Sequence, residues 1–166
     1  MDPAPAVYAA LDALGIQYER HEHPPVFTAE EAAEHWARIR GVPCKNLFLR
    51  NKKGNRHYLV VLEISKHADL KRIATLVSDD RLSFGSPERL MAELGLTPGS
   101  VTPLGLINDA DQSVRVLIDR DLRGASGLIL HPNINTASIV LSWADLEKFL
   151  DWRGNPVSIV NIGSDR

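Results

Sequence analysis

The chain of 166 residues has a single cysteine, Cys44. That excludes an intrachain disulfide, the multi-cysteine zinc patterns and iron–sulfur clusters, and it fits a reducing compartment. Long apolar runs are missing too. None approaches the roughly 18 residues of a membrane span, and the start, Met1-Asp2-Pro3-Ala4-Pro5, lacks the basic-then-apolar plan of a signal peptide. A cytoplasmic protein with no membrane partner is expected. Neither an internal repeat nor a low-complexity tract nor a linker interrupts the sequence, so residues 1–166 are read as one domain. Net charge is the last thing in short supply, with 19 Lys+Arg against 21 Asp+Glu giving −2.

What is present is an ordinary globular composition, 44% hydrophobic and 24% charged, enough for a core without covalent staples. The small net charge conceals segregation. From Trp36 to Arg72 there are ten basic residues and two acidic ones, a stretch of +8, while the remainder carries −10. Overall near-neutrality therefore does not exclude a local anion site, although a solvated basic face accounts for the count equally well.

Periodicity and punctuation predict the elements. Val7, Leu11 and Leu14 recur at helical spacing over Pro5–Leu14 and Gly15 supplies a stop; Ile16–Arg20 alternates like a strand; His21–Pro25 reads as irregular. Thr28-Ala29-Glu30-Glu31 is a capping box opening a helix that runs to Arg40-Gly41. Gly41–Asn46 reads as a polar loop feeding a hairpin of Asn46–Arg50 and His57–Leu62 across Asn51–Asn55. Asp69 caps a helix with Leu70, Ile73 and Leu76 on its buried face, a short strand follows at Leu82–Phe84, and Ser86-Pro87 opens a helix that Gly95 ends. Thr97-Pro98-Gly99 is a turn. Strands at Ser113–Ile118, Gly127–His131, Ala137–Leu141 and Val157–Ile162 complete the chain, with a helix from the Ser142 cap to Gly154 between the last two. Without strict strand–helix alternation, this pattern implies an α+β domain with a mixed, mainly antiparallel sheet partly covered by helices.

Chemistry-bearing residues are few. Lys45, at the mouth of a strand, is either a solvated edge charge or a compact cation that clamps phosphate or a developing oxyanion. Cys44 with one of the histidines is a weak nucleophile pattern, since nothing in the spacing places a base beside it. His21 and His23, on alternate residues of an extended segment, point to opposite faces and no further ligand set follows, so no metal and no cofactor are expected. The polar string His131-Pro132-Asn133-Ile134-Asn135-Thr136 is either a self-bonded loop or a pocket for small polar groups, and Gly99-Ser100-Val101-Thr102-Pro103 either a plain loop or a backbone cradle for a carbonyl.

Taken in order, His23–Glu31, Lys45–Leu49, Gly99–Pro103 and His131–Thr136 resemble the YbaK/aminoacyl-tRNA deacylase family, the superfamily of the bacterial prolyl-tRNA synthetase insertion domain. Among its members, the free-standing editing proteins of the PrdX/ProXp-ala type are the most similar. Lys45 matches the family's central lysine, and Gly99–Pro103 its Gly-x-x-x-Pro loop. The resemblance implies a YbaK-like fold and hydrolysis of alanine mischarged onto proline tRNA, with clearance of cysteine from that tRNA as the alternative within the family and a non-catalytic aminoacyl-tRNA or synthetase-binding module as the alternative outside it. It implies Lys45, Asn46, Gly99 and His131 as the catalytic set. Thr28, Ser100, Val101, Thr102, Pro103, Pro132, Asn133, Asn135 and Thr136 would bind the aminoacyl group. The expected partner is the acceptor end of tRNA(Pro), with prolyl-tRNA synthetase or an elongation factor as further candidates, and Arg50, Lys52, Lys53 and Arg56 of the basic stretch are expected to meet the tRNA.

Overall fold

The computed structural model describes residues 2–164, and its fold is organised around one buried strand. In β3 (His57–Glu63) all six residues from His57 to Leu62 are buried, and alternation sends them to two cores. Leu59 and Val61 join a large cluster with Val7 and Leu11 of helix α1 (Ala4–Ala13), Leu90 and Leu94 of α4 (Pro87–Leu94), and Leu146, Phe149 and Leu150 of α5 (Trp143–Arg153). Tyr58, Val60 and Leu62 pack the other way, with Ile73 and Ala74 of α3 (Leu70–Leu76). A third cluster joins Ala32 and Trp36 of α2 (Ala29–Trp36) to Val26, Ile129 and Val140.

The main sheet runs β1 (Glu19–Glu22), β8 (Ala137–Leu141), β7 (Leu128–Leu130), β2 (Val42–Arg50), β3, β6 (Arg115–Asp119), β9 (Val157–Val160), with β5 (Ser83–Phe84) added to β2. β1/β8, β8/β7, β2/β3 and β2/β5 are antiparallel, and β2/β7, β3/β6 and β6/β9 are parallel. A separate two-stranded pair joins β4 (His67–Ala68) to β10 (Gly163–Ser164). The expected α+β domain with a mixed, mainly antiparallel sheet is thus the observed one. No helix among the described residues is long and apolar enough to cross a membrane.

Several boundaries differ from expectation, each for a local reason. Ile16 is not in a strand. Its N–H bonds Leu11 O (3.0 Å) and that of Gly15 bonds Asp12 O (3.0 Å), closing α1 with the two crossed bonds of a left-handed glycine cap, and Ile16 packs into the core. The strand starts later and takes in His21 and Glu22, so the irregular segment begins at His23. α2 ends at Trp36 because Arg38 and Ile39 tighten into three-residue turns on His35 O and Trp36 O. Val42–Asn46 is not a loop but the first half of β2: Val42 N–H bonds Gly127 O (2.9 Å), and Pro43, which has no N–H to give, offers its carbonyl to Ile64 (2.9 Å). Leu76 is 41% exposed, so α3 buries Ile73 and Ala74 instead. β6 starts at Arg115 because Asp109 takes the N–H groups of Ser113 and Val114.

Candidate functional site

β2 and β7 are paired only from Val42 to Pro43, against Leu128 and Ile129. Past that point β2 continues along β3 while β7 ends at Leu130 and leads into His131, and between them lies a cavity of about 170 Å³. Cys44, Lys45 and Asn46 line one side and His131 faces them. Gly99 and Val101 come from the loop after α4, and Val26, Phe27 and Thr28 from the segment before α2. Ala32, Trp36 and Ile64 complete an apolar wall.

Lys45 is half-buried and forms no ion pair or hydrogen bond among the described residues, so its ammonium is free to meet an anion. Asn46 Oδ1 is buried without a partner, an acceptor that a bound donor would satisfy. Gly99 has φ +91°, and a β-carbon there would come no nearer than 3.5 Å to Phe27. The glycine is therefore required by conformation rather than by space. Ser100 N–H is taken by Thr97 O (3.1 Å), whereas the N–H groups of Gly99 and Val101 have no partner among the described residues.

His131 is buried, and its Nδ1 lies 3.2 Å from Ala137 O. A carbonyl only accepts, so Nδ1 carries the proton and Nε2 remains an acceptor. Burial is the main cause holding its pKa below the usual histidine value, with the bond to Ala137 opposing and His23 assisting. Trp36 lies tilted against the ring at 5.7 Å between centroids. Behind them the fully buried Ser138 joins two elements: its oxygen accepts from Trp36 Nε1 (2.8 Å) and its hydroxyl meets His23 Nε2 (2.9 Å). His23 Nδ1 donates to Pro24 O (2.9 Å), so in the neutral ring Nε2 takes the Ser138 proton. This chain ties α2, the segment before it and β8 together behind the cavity.

Of the residues singled out in the sequence, the cavity brings together Lys45, Asn46, Gly99, Val101, Thr28 and His131. Thr28 also caps α2, accepting from Glu31 N–H (3.1 Å). Ser100, Asn133, Asn135 and Thr136 line a neighbouring opening on the other side of the Gly99 loop. Asn135 is nonetheless coupled to the cavity, since its Nδ2 donates to Val26 O (3.1 Å) and its carbonyl accepts from Val26 N–H (3.3 Å). Thr102 is buried and starts a 3-10 helix at Pro103, its hydroxyl accepting from Leu104 N–H (3.3 Å). Pro132 is buried in the turn that follows His131.

Cys44 is buried, its thiol pushed up to about 12 chiefly by burial and also by Glu63. It is a wall residue, not a thiolate. Among the described residues no cluster of three or more His, Cys, Asp or Glu side chains could hold a metal. Arg50, Lys52, Lys53 and Arg56 sit at the far end of β2, roughly 16 Å from Lys45 by strand rise. Arg56 is 3.8 Å from Asp79, and Lys66 is enclosed by Asp119 (2.7 Å) and Asp121. The +8 stretch is thus broken into separate cations rather than one basic face.

The apolar wall is not among the residues that the sequence singles out. Ala32 and Trp36 stand four residues apart on α2, the spacing of one helix face, and that was a legible signal. Phe27, 68% exposed at the rim, gave none beyond being an aromatic beside prolines.

This arrangement, a strand-end lysine facing an unpaired glycine-loop N–H across a small apolar cavity, coincides with a family match: the aminoacyl-tRNA editing domain model covers residues 23–149, and the chain belongs to that family, making it an aminoacyl-tRNA deacylase. Among its relatives, prolyl-tRNA editing protein ProX of Acetoanaerobium sticklandii is 42% identical over 162 residues, covering 98% of this chain and 99% of its own. Prolyl-tRNA synthetase associated domain-containing protein 1 of Danio rerio is 35% identical over 143 residues, 85% of this chain and 77% of its own. A crystal structure provisionally described as a trans-editing enzyme for prolyl tRNA synthetase superimposes with a TM-score of 0.71 at 22% identity, covering 99% of both chains.

Proposed function

We propose that this protein is a trans-editing hydrolase that clears alanine mischarged onto tRNA(Pro). The observation that carries the reading is the cavity: about 170 Å³, walled by Val26, Ala32, Trp36 and Ile64, with polar groups from Thr28, Lys45, Asn46, His131 and the Gly99 loop. Its apolar wall offers a surface for a small aliphatic side chain such as the methyl of alanine. ProX, a relative that matches along nearly its full length, is a prolyl-tRNA editing protein by name, which supports the choice of tRNA.

The need is physical. A synthetase pocket for proline gains only about 1–3 kcal/mol per methylene against a smaller amino acid, so a second, smaller sieve is required to remove alanine while sparing the correct product. In the cavity, Lys45 holds the tRNA 3′ end through its terminal phosphate or ribose, and the N–H groups of Gly99 and Val101 hold the ester carbonyl. Water adds to the carbonyl carbon, the bond to the ribose oxygen breaks, and the proton from water ends on that oxygen, leaving alanine and tRNA. Asn46 and His131 position the aminoacyl group or the water, and Nε2 of neutral His131 is an acceptor for a water proton. A ribose hydroxyl of the substrate is a second candidate for activating the water.

Parallel deacylation of Ala-tRNA(Pro), Cys-tRNA(Pro) and Pro-tRNA(Pro) by the purified protein tests this. Hydrolysis of the alanyl ester with the prolyl ester spared is expected. Cleavage of the cysteinyl ester alone moves the assignment to cysteine, and saturable tRNA binding without turnover of any ester makes the protein a binding module.

A further inference from the structure

The tip of the β2/β3 hairpin holds two arginines in an arrangement the cavity does not use. Arg50 donates from Nε to Asn51 O (3.1 Å) and from Nη2 to Lys52 O (2.9 Å). Arg89, from α4, donates from Nη1 to Gly54 O (2.9 Å), with His57 Nε2 at 3.2 Å. Uncharged groups therefore orient both guanidiniums, and neither forms an ion pair among the described residues. The nearby carboxylates are engaged elsewhere: Asp79 by Tyr58 and Arg56, Asp80 by Lys52 N–H, Glu93 by Ser113 and beside His57. Between the arginines lies Gly54, with φ +73°. A β-carbon there would fall 2.6 Å from Arg89 Nη2 and 3.1 Å from Arg50 Nη2, so both guanidiniums reach over the same glycine, and only glycine lets them come together there. Like charges held over one glycine without a counter-charge repel, and an anion bridging the outer N–H groups of the two guanidiniums reverses the sign. Planar guanidiniums suit phosphate oxygens in particular.

We propose that Arg50, Arg89 and the Gly54 backbone form a phosphate-binding cradle whose occupant is a backbone phosphodiester of the tRNA acceptor arm. The tRNA part rests on the function proposed above. At roughly 16 Å along β2 from Lys45, the cradle takes a phosphate several nucleotides back from the ester and sets the approach of the arm to the cavity. Exposed Lys52 and Lys53 flank it.

The test compares full-length Ala-tRNA(Pro) with the alanyl ester of a CCA trinucleotide, which is too short to reach the hairpin. Arg89→Gln is expected to lower kcat/KM on the tRNA about 5- to 20-fold through KM, and to make its log–log salt dependence shallower by about one, with the trinucleotide ester hydrolysed as before. Gly54→Asn tolerates the positive φ, but its β-carbon, 2.6 Å from Arg89 Nη2, pushes that guanidinium aside and parts the two arginines, so it reproduces the loss. An equal loss on the trinucleotide, or an unchanged salt slope, overturns the proposal. If the wild type hydrolyses neither ester, the functional reading has failed and the cradle is judged by binding of uncharged tRNA: a 5- to 20-fold weakening by Arg89→Gln upholds it, equal binding overturns it. Inorganic phosphate that binds the wild type but not Arg89→Gln, with tRNA binding indifferent to the substitution, identifies a free phosphate compound as occupant and rejects the tRNA.

Discussion

At the Val42–Asn46 end of β2 the polar groups face an opening and several lack partners among the described residues: Lys45 is unpaired, Asn46 Oδ1 is orphaned, and two N–H groups of the opposing loop are free. At the Arg50–Arg56 end, nine residues into the same strand, the polar groups of the backbone turn are satisfied from within. Buried Asn51 accepts at Oδ1 from the N–H groups of Asn55 (3.0 Å) and Arg56 (3.1 Å) and donates to Asn55 Oδ1 (2.7 Å), while Tyr58 Oη donates to Asp79 (2.5 Å). The difference separates two uses of polarity. Satisfied groups define a rigid turn, whereas unsatisfied groups held in place by satisfied neighbours are available to a ligand and need no reorganisation to bind it.

Substitutions at the two ends should therefore fail differently. Lys45→Ala removes a free cation, so single-turnover deacylation is expected to fall about 10²- to 10³-fold with the unfolding midpoint in urea unchanged. Hydrolysis at the wild-type rate would end the assignment of Lys45. Asn51→Ala does the reverse. It strips four bonds, the weakest of them to Asp79, from a buried turn and is expected to lower stability by about 2–3 kcal/mol, read from urea unfolding, while the trinucleotide ester is hydrolysed at close to the wild-type rate. A catalytic loss there without a stability loss would erase the contrast between the two ends.

Ser138→Ala sharpens the comparison because Ser138 is a satisfied group behind the unsatisfied ones. Its loss leaves Trp36 Nε1 buried without an acceptor, at a cost of about 1–2 kcal/mol, and frees the indole that forms the cavity wall. The expected signature is a reduced ratio of alanyl to prolyl ester hydrolysis, with Trp36→Phe, which needs no acceptor, restoring much of the stability in the double variant. An unaltered substrate ratio would confine Ser138 to a structural role.

The elements and much of the site were legible in the sequence wherever one residue determined the local outcome. Thr28, Ser86 and Ser142 cap their helices as their positions imply, and Gly95 and Gly154 end theirs in left-handed geometry. What escaped depends on long-range partners. Val42–Asn46 reads as loop because of Gly41 and Pro43, yet Gly127 and Ile64, distant in sequence, supply the bonds that make it strand. The cavity itself arises where β2 and β7 part company, and no local pattern encodes that. The basic stretch shows the same limit: Lys66 counts toward +8 in sequence, but Asp119 and Asp121 arrive from β6 and the turn beyond it to neutralise it. Arg89, outside the stretch, adds a cation to the hairpin that charge counting could not assign to it.

Acid offers the mildest way to probe the contrast, because the two ends each hold a histidine displaced in the same direction. Burial is the first cause lowering the pKa of both His131 at the cavity and His57 near the hairpin. A histidine whose folded pKa lies below its unfolded value of about 6.5 takes up protons more readily when unfolded, so stability is full above that pH and declines as pH falls toward the folded value. Urea midpoints should hold steady from pH 8 to about 6.5 and slope downward below it, and His131→Asn and His57→Asn should each flatten part of the slope. Deacylation should separate the two. Only His131 presents its acceptor Nε2 beside the cavity, so protonation there removes the acceptor while protonation of His57 does not. The acid limb of single-turnover hydrolysis of the trinucleotide ester should therefore persist in His57→Asn and be absent from the residual activity of His131→Asn. An acid limb that moves with His57 instead would mean that the hairpin, not the cavity, governs the chemistry.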